Sequence, residues 1–211
     1  MKKLIPLLLA AFAFTACEKD ADTDKLDNKF VVYTNYDKNV DFKQFQTYYL
    51  PDSILIIGDK DKTEYWNDAN AQRIIDTYVF NMDNRGYSRV TQREDADLGM
   101  QISYVKNTYV YTDYGYPEWW WGYPGYWDVP YWGNWGGGRY YPYAVSYSYS
   151  TGSFLTELLN LEATQGQNEK LPIVWSAYMT GMLSGSTDVN VELATQAVSQ
   201  AFTQSAYLTN K

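Results

Sequence analysis

Carboxylates are the side chains that could carry acid–base chemistry in this 211-residue sequence, because it has no histidine and a single cysteine, Cys17. Without imidazole, neither a Ser-His-Asp triad nor a Cys-His dyad can form. A zinc site built on imidazole or thiolate is excluded as well if Cys17 is consumed by a modification. What remains is the pair of carboxylates that glycosidases use as acid and base.

Two pairs of carboxylates lie close enough in sequence to be considered for that role. Glu157 and Glu162 have opposite parity in an extended run, so they point to opposite sides of a strand. Asp95 and Asp97 share a side, but they precede a strand and are more typical of a turn. We expect all four carboxylates to be solvated. The sequence therefore predicts a protein that is not an enzyme, and a carboxylate-dependent glycan-processing enzyme is the alternative.

A further acidic cluster has part of the spacing of a calcium-binding loop. Asp20, Asp22 and Asp24 alternate as the first ligands of such a loop do. Lys25 stands where the loop needs glycine, however, and Val31 stands where it needs a bidentate glutamate. We therefore predict neither a metal ion nor a cofactor.

The N-terminus has the features of an export signal. A positive leader, Met1-Lys2-Lys3, precedes an apolar run from Leu4 to Phe14, which is shorter than the roughly 20 residues that cross a bilayer. Residues 1–16 are therefore predicted to be a cleaved signal peptide. Its end, Phe14-Thr15-Ala16-Cys17, resembles a bacterial lipobox, so Cys17 is the predicted lipidation site, with acyl chains such as palmitate as a membrane anchor. An ordinary secretory peptide is the alternative.

Residues 17–29 form a predicted acidic tether, because "EKDADTDKLDNK" has almost no apolar content. Lys19-Asp20, just after the cysteine, resembles the surface-export signal of Bacteroidetes lipoproteins. These features predict a lipid-anchored protein of the outer membrane, whose domain is either exposed at the cell surface or faces the periplasm. The net charge of −8 argues against nucleic acid as a partner, because binding to phosphates needs clustered cations.

The stretch "PEWWWGYPGYWDVPYWGNWGGGRYYPY" contains six of the eight tryptophans. It belongs to a predicted aromatic insertion over residues 109–143, where repeated proline and glycine prevent a long helix. Each ring can bury about 150–250 Å², so six unpacked tryptophans would expose more than the roughly 300–600 Å² of a typical largest apolar patch. Something must cover the rings. The candidate ligand-binding residues are Trp119, Trp120, Trp121, Tyr123, Tyr126, Trp127, Trp132 and Trp135.

Several occupants could cover these rings, and the sequence leaves the choice open. The simplest is the protein itself, if the rings pack on one another and on the sheet. Flat indole and phenol faces also suit sugar rings, which favours cell-wall or surface polysaccharide as the first functional alternative. A membrane interface is the second, and an envelope protein partner is the third.

The rest of the chain, residues 30–211, is predicted to be a single globular domain. Two helices are indicated by apolar periodicity, one between Thr63 and Arg85, capped by Gly86, and one over Val189–Phe202, behind possible caps at Thr187, Asp188 and Asn190. Strands are indicated in "FVVYTNY", "FQTYYLP" and "ADLGMQISY", the last alternating as a half-buried strand does. Extended runs at 143–161 and 171–180 are predicted to form a hairpin. The expected fold is α+β, a single mainly antiparallel sheet with two amphipathic helices on one face.

Three blocks of the sequence, "VDFKQFQTYYLP", "NRGYSRVTQREDADLGMQISY" and "STGSFLTELLNLEA" with "PIVWSAYMTG", resemble the bacterial putative lipoproteins grouped as domain of unknown function 4136. The resemblance extends from about Phe30 to Phe202. It implies a cell-envelope lipoprotein without an established activity, which we predict to act in binding or scaffolding. The positions that carry it are Phe42, Phe45, Tyr48, Gly86, Tyr87, Ala96, Asp97, Leu98, Gly152 and Trp175.

Overall fold

The computed structural model describes residues 30–58, 63–106, 139–145, 150–163 and 171–211. The signal peptide, the acidic tether and most of the aromatic insertion lie outside these residues. The described strands are β1 (Val31–Tyr36), β2 (Thr47–Tyr49), β3 (Ile54–Ile57), β4 (Glu64–Trp66), β5 (Ser88–Val90), β6 (Leu98–Val105), β7 (Arg139–Tyr140), β8 (Ser153–Asn160) and β9 (Leu171–Thr180). The helices are α1 (Ala69–Asn84) and α2 (Thr187–Gln204).

The main sheet has the strand order β1-β9-β8-β6-β2-β5. Two short strands, β2 and β3, lie one after the other along the same edge of β6. They are separated at Pro51, which has no N–H to donate to a neighbouring strand. Strand β4 extends this side of the sheet as a partner of β3, and β7 lies beside the first residues of β9.

The sheet is mixed, so the expectation of a mainly antiparallel sheet is wrong. Within the described residues, β1, β9, β8 and β6 pair antiparallel, as do β3 and β4. Strand β2 is parallel to both β5 and β6, β3 is parallel to β6, and β7 is parallel to β9. For β2 and β3 the physical reason is that α1 lies between them and their parallel partners, β5 and β6, in the chain. A helix that crosses over the sheet returns the chain in the same direction, whereas local turns reverse it.

The expectation of an α+β fold with two helices on one face is confirmed. The stripe of α1 that contains Ile74, Tyr78 and Met82 is completely buried, and so is the stripe of α2. Both pack against alternate residues of the central strands in one apolar cluster. A buried hydrogen bond of 2.5 Å between the hydroxyls of Tyr78 and Thr156 also joins α1 to β8.

The predicted helices are close to their observed positions. Helix α1 starts at Ala69, where the carboxylate of Asp68 accepts hydrogen bonds from the amides of Asn70 and Ala71. Helix α2 starts at Thr187, two residues earlier than expected, and Ser186 occupies the N-cap position. The expected caps at Thr187, Asp188 and Asn190 are therefore wrong, because all three lie within the helix.

Gly86 ends α1 as the sequence predicts. Its φ of 93° is in the left-handed region that favours glycine. The amide of Gly86 donates to the carbonyl of Asp83, and the amide of Tyr87 donates to the carbonyl of Met82, which is the hydrogen-bond pattern of a Schellman motif. The turn brings β5 back beside β2.

The predicted hairpin is also confirmed, since β8 and β9 pair antiparallel with one irregularity between Leu158 and Leu159. Its first strand begins at Ser153 and not at 143, where the expected extended run starts. Strand β6, by contrast, is not half-buried. Its polar residues Gln101 and Ser103, expected to face solvent, are 4% and 0% exposed. Both faces of the central sheet are therefore interior, and the face opposite the helices contains a second apolar cluster.

Candidate functional site

A row of polar side chains crosses the sheet on the face opposite the helices. In register, Gln101 of β6 lies beside Glu157 of β8, Glu157 lies beside Ser176 of β9, and Ser176 lies beside Asn35 of β1. Glu157 and Ser176 are fully buried, and Asn35 is partly exposed at the sheet edge. A polar row at this depth needs hydrogen-bond partners from outside the sheet.

These partners come from residues 139–145, which we call the strap. The strap starts as β7, where Arg139 pairs with Leu171 at the beginning of β9. The Tyr141 hydroxyl then donates a hydrogen bond to Oε1 of Glu157. The Tyr143 hydroxyl donates to Oγ of Ser176 over 3.1 Å, and Nδ2 of Asn35 donates to the Ala144 carbonyl over 2.9 Å. Three successive strands are thus tied to one crossing segment.

Apolar packing surrounds the buried centre of the polar row, Glu157 and Ser176, and excludes water from it. Tyr141 is 1% exposed and is part of the second cluster. Above and below Glu157 along β8 are Leu155 and Leu159, which are both buried. The other buried members of the cluster are Leu55, Ile57, Val105, Val145, Leu171, Ile173 and Tyr178.

The structure changes the interpretation of the four carboxylates. Glu157 was expected to be solvated, and this is wrong, because the second layer of packing covers its side of β8. Glu162 follows the end of β8 and is exposed. Asp95 is also exposed, as expected, in a 3-10 turn over Arg93–Asp95. Glu157 therefore differs from Glu162 in its surroundings, and Asp95 differs from Asp97.

Asp97 connects the start of β6 to the start of β2. Its Oδ2 accepts hydrogen bonds from the backbone amides of Gln46 and Thr47, at 2.6 and 2.9 Å. In return, the Asp97 amide donates to Oγ1 of Thr47 over 3.0 Å. Only two residues of β2 pair with β6 at this point, so this reciprocal set of hydrogen bonds fixes their parallel register.

An aromatic cleft of about 350 Å³ opens on the other side of the molecule, between the N-terminal end of α2 and the edge formed by β3 and β4. Three rings are in contact in its wall. The ring centroids of Tyr104 and Phe154 are 5.0 Å apart, and those of Trp66 and Tyr104 are 5.7 Å apart. The lining residues are Ile56, Trp66, Ile74, Tyr104, Lys106, Phe154, Met182, Thr187, Asn190 and Val191.

The polar contacts around the cleft fix its aromatic wall. Nε1 of Trp66 donates to Oδ1 of Asp68 over 2.6 Å, so the residue that caps α1 also orients the indole. The hydrogen bond from the Ala71 amide, helped by those from Trp66 and Asn70, lowers the pKa of Asp68, against an opposing effect of burial. Burial raises the pKa of Tyr104, so its hydroxyl stays protonated at neutral pH.

The predicted site residues themselves lie outside the described residues. This holds for Cys17 and for the candidate ligand-binding residues Trp119, Trp120, Trp121, Tyr123, Tyr126, Trp127, Trp132 and Trp135. In the part of the chain that is described, no group of three or more potential ligands could hold a metal ion. No helix within the same residues is long and apolar enough to cross a membrane.

The polar row and the strap were not predicted from the sequence. The available signal was one polar residue inside an otherwise apolar run, as with Glu157 in "LTELL" and Ser176 in "VWSAY". Single residues of this kind are ambiguous, because only the strand register shows that they share a row. The aromatic cleft left no signal, since its lining comes from six separate helices and strands and from the connections beside them.

The model for the domain of unknown function DUF4136 matches residues 32–205, so the chain belongs to that family. The crystal structure of a DUF4136 family protein from Bacteroides thetaiotaomicron is 55% identical, with a TM-score of 0.79 over 88% of this chain and 100% of the other.

Another solved structure, a PelC dodecamer from Paraburkholderia phytofirmans, is 12% identical over 82% of this chain and 94% of that one, with a TM-score of 0.38. A comparison with proteins of curated function gave no match.

The positions through which the sequence resembles the family are mainly structural in this chain. Seven of them are buried hydrophobic residues, including Tyr48 and Trp175, while Gly86 and Gly152 have positive φ. Asp97 is the reciprocal link between β2 and β6 described above. The family pattern therefore describes how the domain folds.

We predict opposite outcomes for the two neighbouring aspartates. Asp97→Ala leaves the amides of Gln46 and Thr47 without their acceptor, so it should lower the free energy of unfolding by about 1–3 kcal/mol. Asp95→Ala removes an exposed carboxylate of the same turn and should change stability by less than about 0.5 kcal/mol. Urea denaturation of both variants measures the difference, and equal stabilities would contradict the structural role of Asp97.

Proposed function

We propose that this protein is a lipid-anchored cell-envelope protein that works by binding or scaffolding and not by catalysis. The supporting observation is that two of the candidate carboxylates accept hydrogen bonds from other parts of the fold. Glu157 accepts a hydrogen bond from Tyr141 below a packed surface, and Asp97 accepts two backbone amides. General acid–base catalysis needs a carboxyl that can reach a substrate, and both of these are committed to contacts within the fold.

Membrane attachment through Cys17 is the first part of this proposal. The short apolar leader and the small residues before Cys17 support it. Several acyl chains on one residue hold a protein stably on a bilayer, and the acidic tether at 17–29 then separates the lipid from the domain that starts near Phe30. We propose the outer membrane as the site, with the domain at the cell surface or in the periplasm.

Lipidation can be tested directly on the protein from its native envelope. We expect mass spectrometry of the N-terminal peptide to find residues 1–16 removed and Cys17 acylated. A Cys17→Ser variant should leave the membrane fraction and appear in the soluble fraction or the medium. A Thr15→Ser variant, the matched control near the cleavage site, should stay with the membrane. An unacylated native Cys17 would contradict the anchor.

Binding through the aromatic insertion is the second part of the proposal. The described chain leaves the sheet after β6, where Lys106 donates its amide to the Ile57 carbonyl over 2.8 Å, and returns at Arg139 in β7. These two points lie at opposite ends of the sheet, because β9 runs antiparallel to β8 and its start lies beside the end of β8. Both attachment points of the insertion therefore belong to the hydrogen-bonded framework.

Glycan is the ligand that we propose for the insertion, because flat indole and phenol faces suit the apolar faces of sugar rings. The test uses pull-down with purified cell-wall sacculi and surface polysaccharide. Replacing Trp119, Trp120 and Trp121 by Ser should weaken binding at least about tenfold, since truncated aromatic anchors carry much of the binding energy. A deletion must end before Arg139, because the strap would otherwise lose its contact with Glu157.

A matched control replaces two aromatic residues that are exposed outside the insertion, Tyr33 and Phe80, by Ser. This control should bind glycan as the unmodified protein does. Unchanged binding by the tryptophan variant would remove the glycan proposal. Loss of vesicle binding or of an envelope partner, without any glycan binding, would favour the membrane-interface or protein-interaction alternative. Turnover of the glycan would favour the carboxylate enzyme instead.

A further inference from the structure

The aromatic cleft has the composition of a small-molecule site. Such sites are mostly apolar and have a few convergent polar groups that orient the ligand, and their volumes range from about 300 to 1,000 Å³. The cleft, at about 350 Å³, lies at the small end of this range. Its volume suits one small molecule.

The wall of the cleft is mainly apolar and can bind the apolar part of a ligand. Phe154 is 3% exposed, Trp66 and Tyr104 are partly buried, and all three line the cleft. Met182 and Val191 supply buried aliphatic surface from the α2 side. The indole is oriented by its hydrogen bond to Asp68, so little side-chain freedom remains to be lost when a ligand binds.

Among the described residues that line the cleft, Lys106 carries the only charge. Its aliphatic stem packs near Gly58, where an added Cβ would lie 3.3 Å from the Lys106 Cβ, and its Nζ lies 3.2 Å from Oε2 of Glu64. Both members of this ion pair are partly exposed, so the pair contributes little on its own and Nζ can take a second anionic partner. The hydroxyl of Thr187 and the amide of Asn190 are the uncharged polar groups on the opposite side.

We propose that the aromatic cleft binds small amphipathic anions, molecules with an apolar body and one negatively charged head. The body lies against Trp66, Tyr104 and Phe154, and the head lies beside Nζ of Lys106. This proposal is independent of the glycan proposal, because none of these residues belongs to the aromatic insertion.

The test uses 4-phenylbutyrate as the probe, since it is a water-soluble molecule with an aromatic body and a carboxylate. The full-length protein in lipid nanodiscs is titrated by ligand-observed saturation-transfer NMR, with empty nanodiscs as the background. We expect saturable binding of the acid that is about fivefold tighter than that of neutral 4-phenylbutanamide, the size of effect that a partly exposed ion pair provides. Equal affinity for the acid and the amide would contradict the proposal that the ligand has an anionic head.

Variants distinguish the cleft from other surfaces. Thr187→Trp fills the opening from the first turn of α2 and should abolish binding of the acid. Thr203→Trp makes the same change at an exposed position near the other end of α2 and should leave binding unchanged. If Thr187→Trp binds the acid as the unmodified protein does, the cleft is not the site.

The charge is tested with a second pair of variants. Lys106→Met keeps an unbranched side chain and removes the cation while the Glu64 carboxylate stays, so the preference for acid over amide should fall to about one or below, with binding of the amide unchanged. Lys43→Met, at an exposed lysine of the 3-10 turn Phe42–Gln44, should keep the fivefold preference. A preference that survives Lys106→Met would overturn the role of Lys106.

Discussion

The structure depends on a buried carboxyl group in the centre of a sheet. Glu157 is 0% exposed, and a carboxyl at that depth is costly unless its oxygens are hydrogen-bonded. Within the described residues, the Tyr141 hydroxyl meets this need, and the strap repeats the pattern at Ser176 and Asn35. The strap therefore has to follow one path across β8, β9 and β1, which closes the second face of the sheet.

The two faces of the sheet are closed by different means. On the helix side, two amphipathic helices bury their apolar stripes in one cluster, and periodic sequence is sufficient to produce that layer. On the other side, the strap is the short segment 139–145, so specific hydrogen bonds supplement a smaller apolar contact. The connection that contains the aromatic insertion leaves β6 at Lys106, which also lines the aromatic cleft, and re-enters the sheet at Arg139 in the strap. The backbone at both attachment points is paired with the sheet.

Sequence periodicity predicted the parts of the fold in which one face is apolar over many residues. Helices α1 and α2 and the β8–β9 hairpin belong to this class. It did not predict β4 and β5, which have three residues each and are too short to show a period. The parallel pairs were missed for a related reason, because a crossover through α1 is indistinguishable in sequence from a helix between two local hairpins.

The candidate sites were less predictable than the fold. Most glutamates in proteins are exposed to solvent, so a lone glutamate is expected there. Only the register of three strands shows that Glu157 shares a row with Gln101 and Ser176. The predictions for Cys17 and the aromatic insertion came from local sequence, and they remain predictions because those residues lie outside the described part of the chain. The aromatic cleft required the assembled fold, since Trp66, Phe154 and Val191 meet only there.

A double-mutant cycle between Tyr141 and Glu157 tests the central claim most directly. The free energies of unfolding of Tyr141→Phe, Glu157→Gln and the double variant are compared with that of the unmodified protein. If the strap is held by this hydrogen bond, the two changes should be coupled by at least about 1 kcal/mol. Additive effects, with a coupling energy close to zero, would show that the strap is not held to β8 by Glu157.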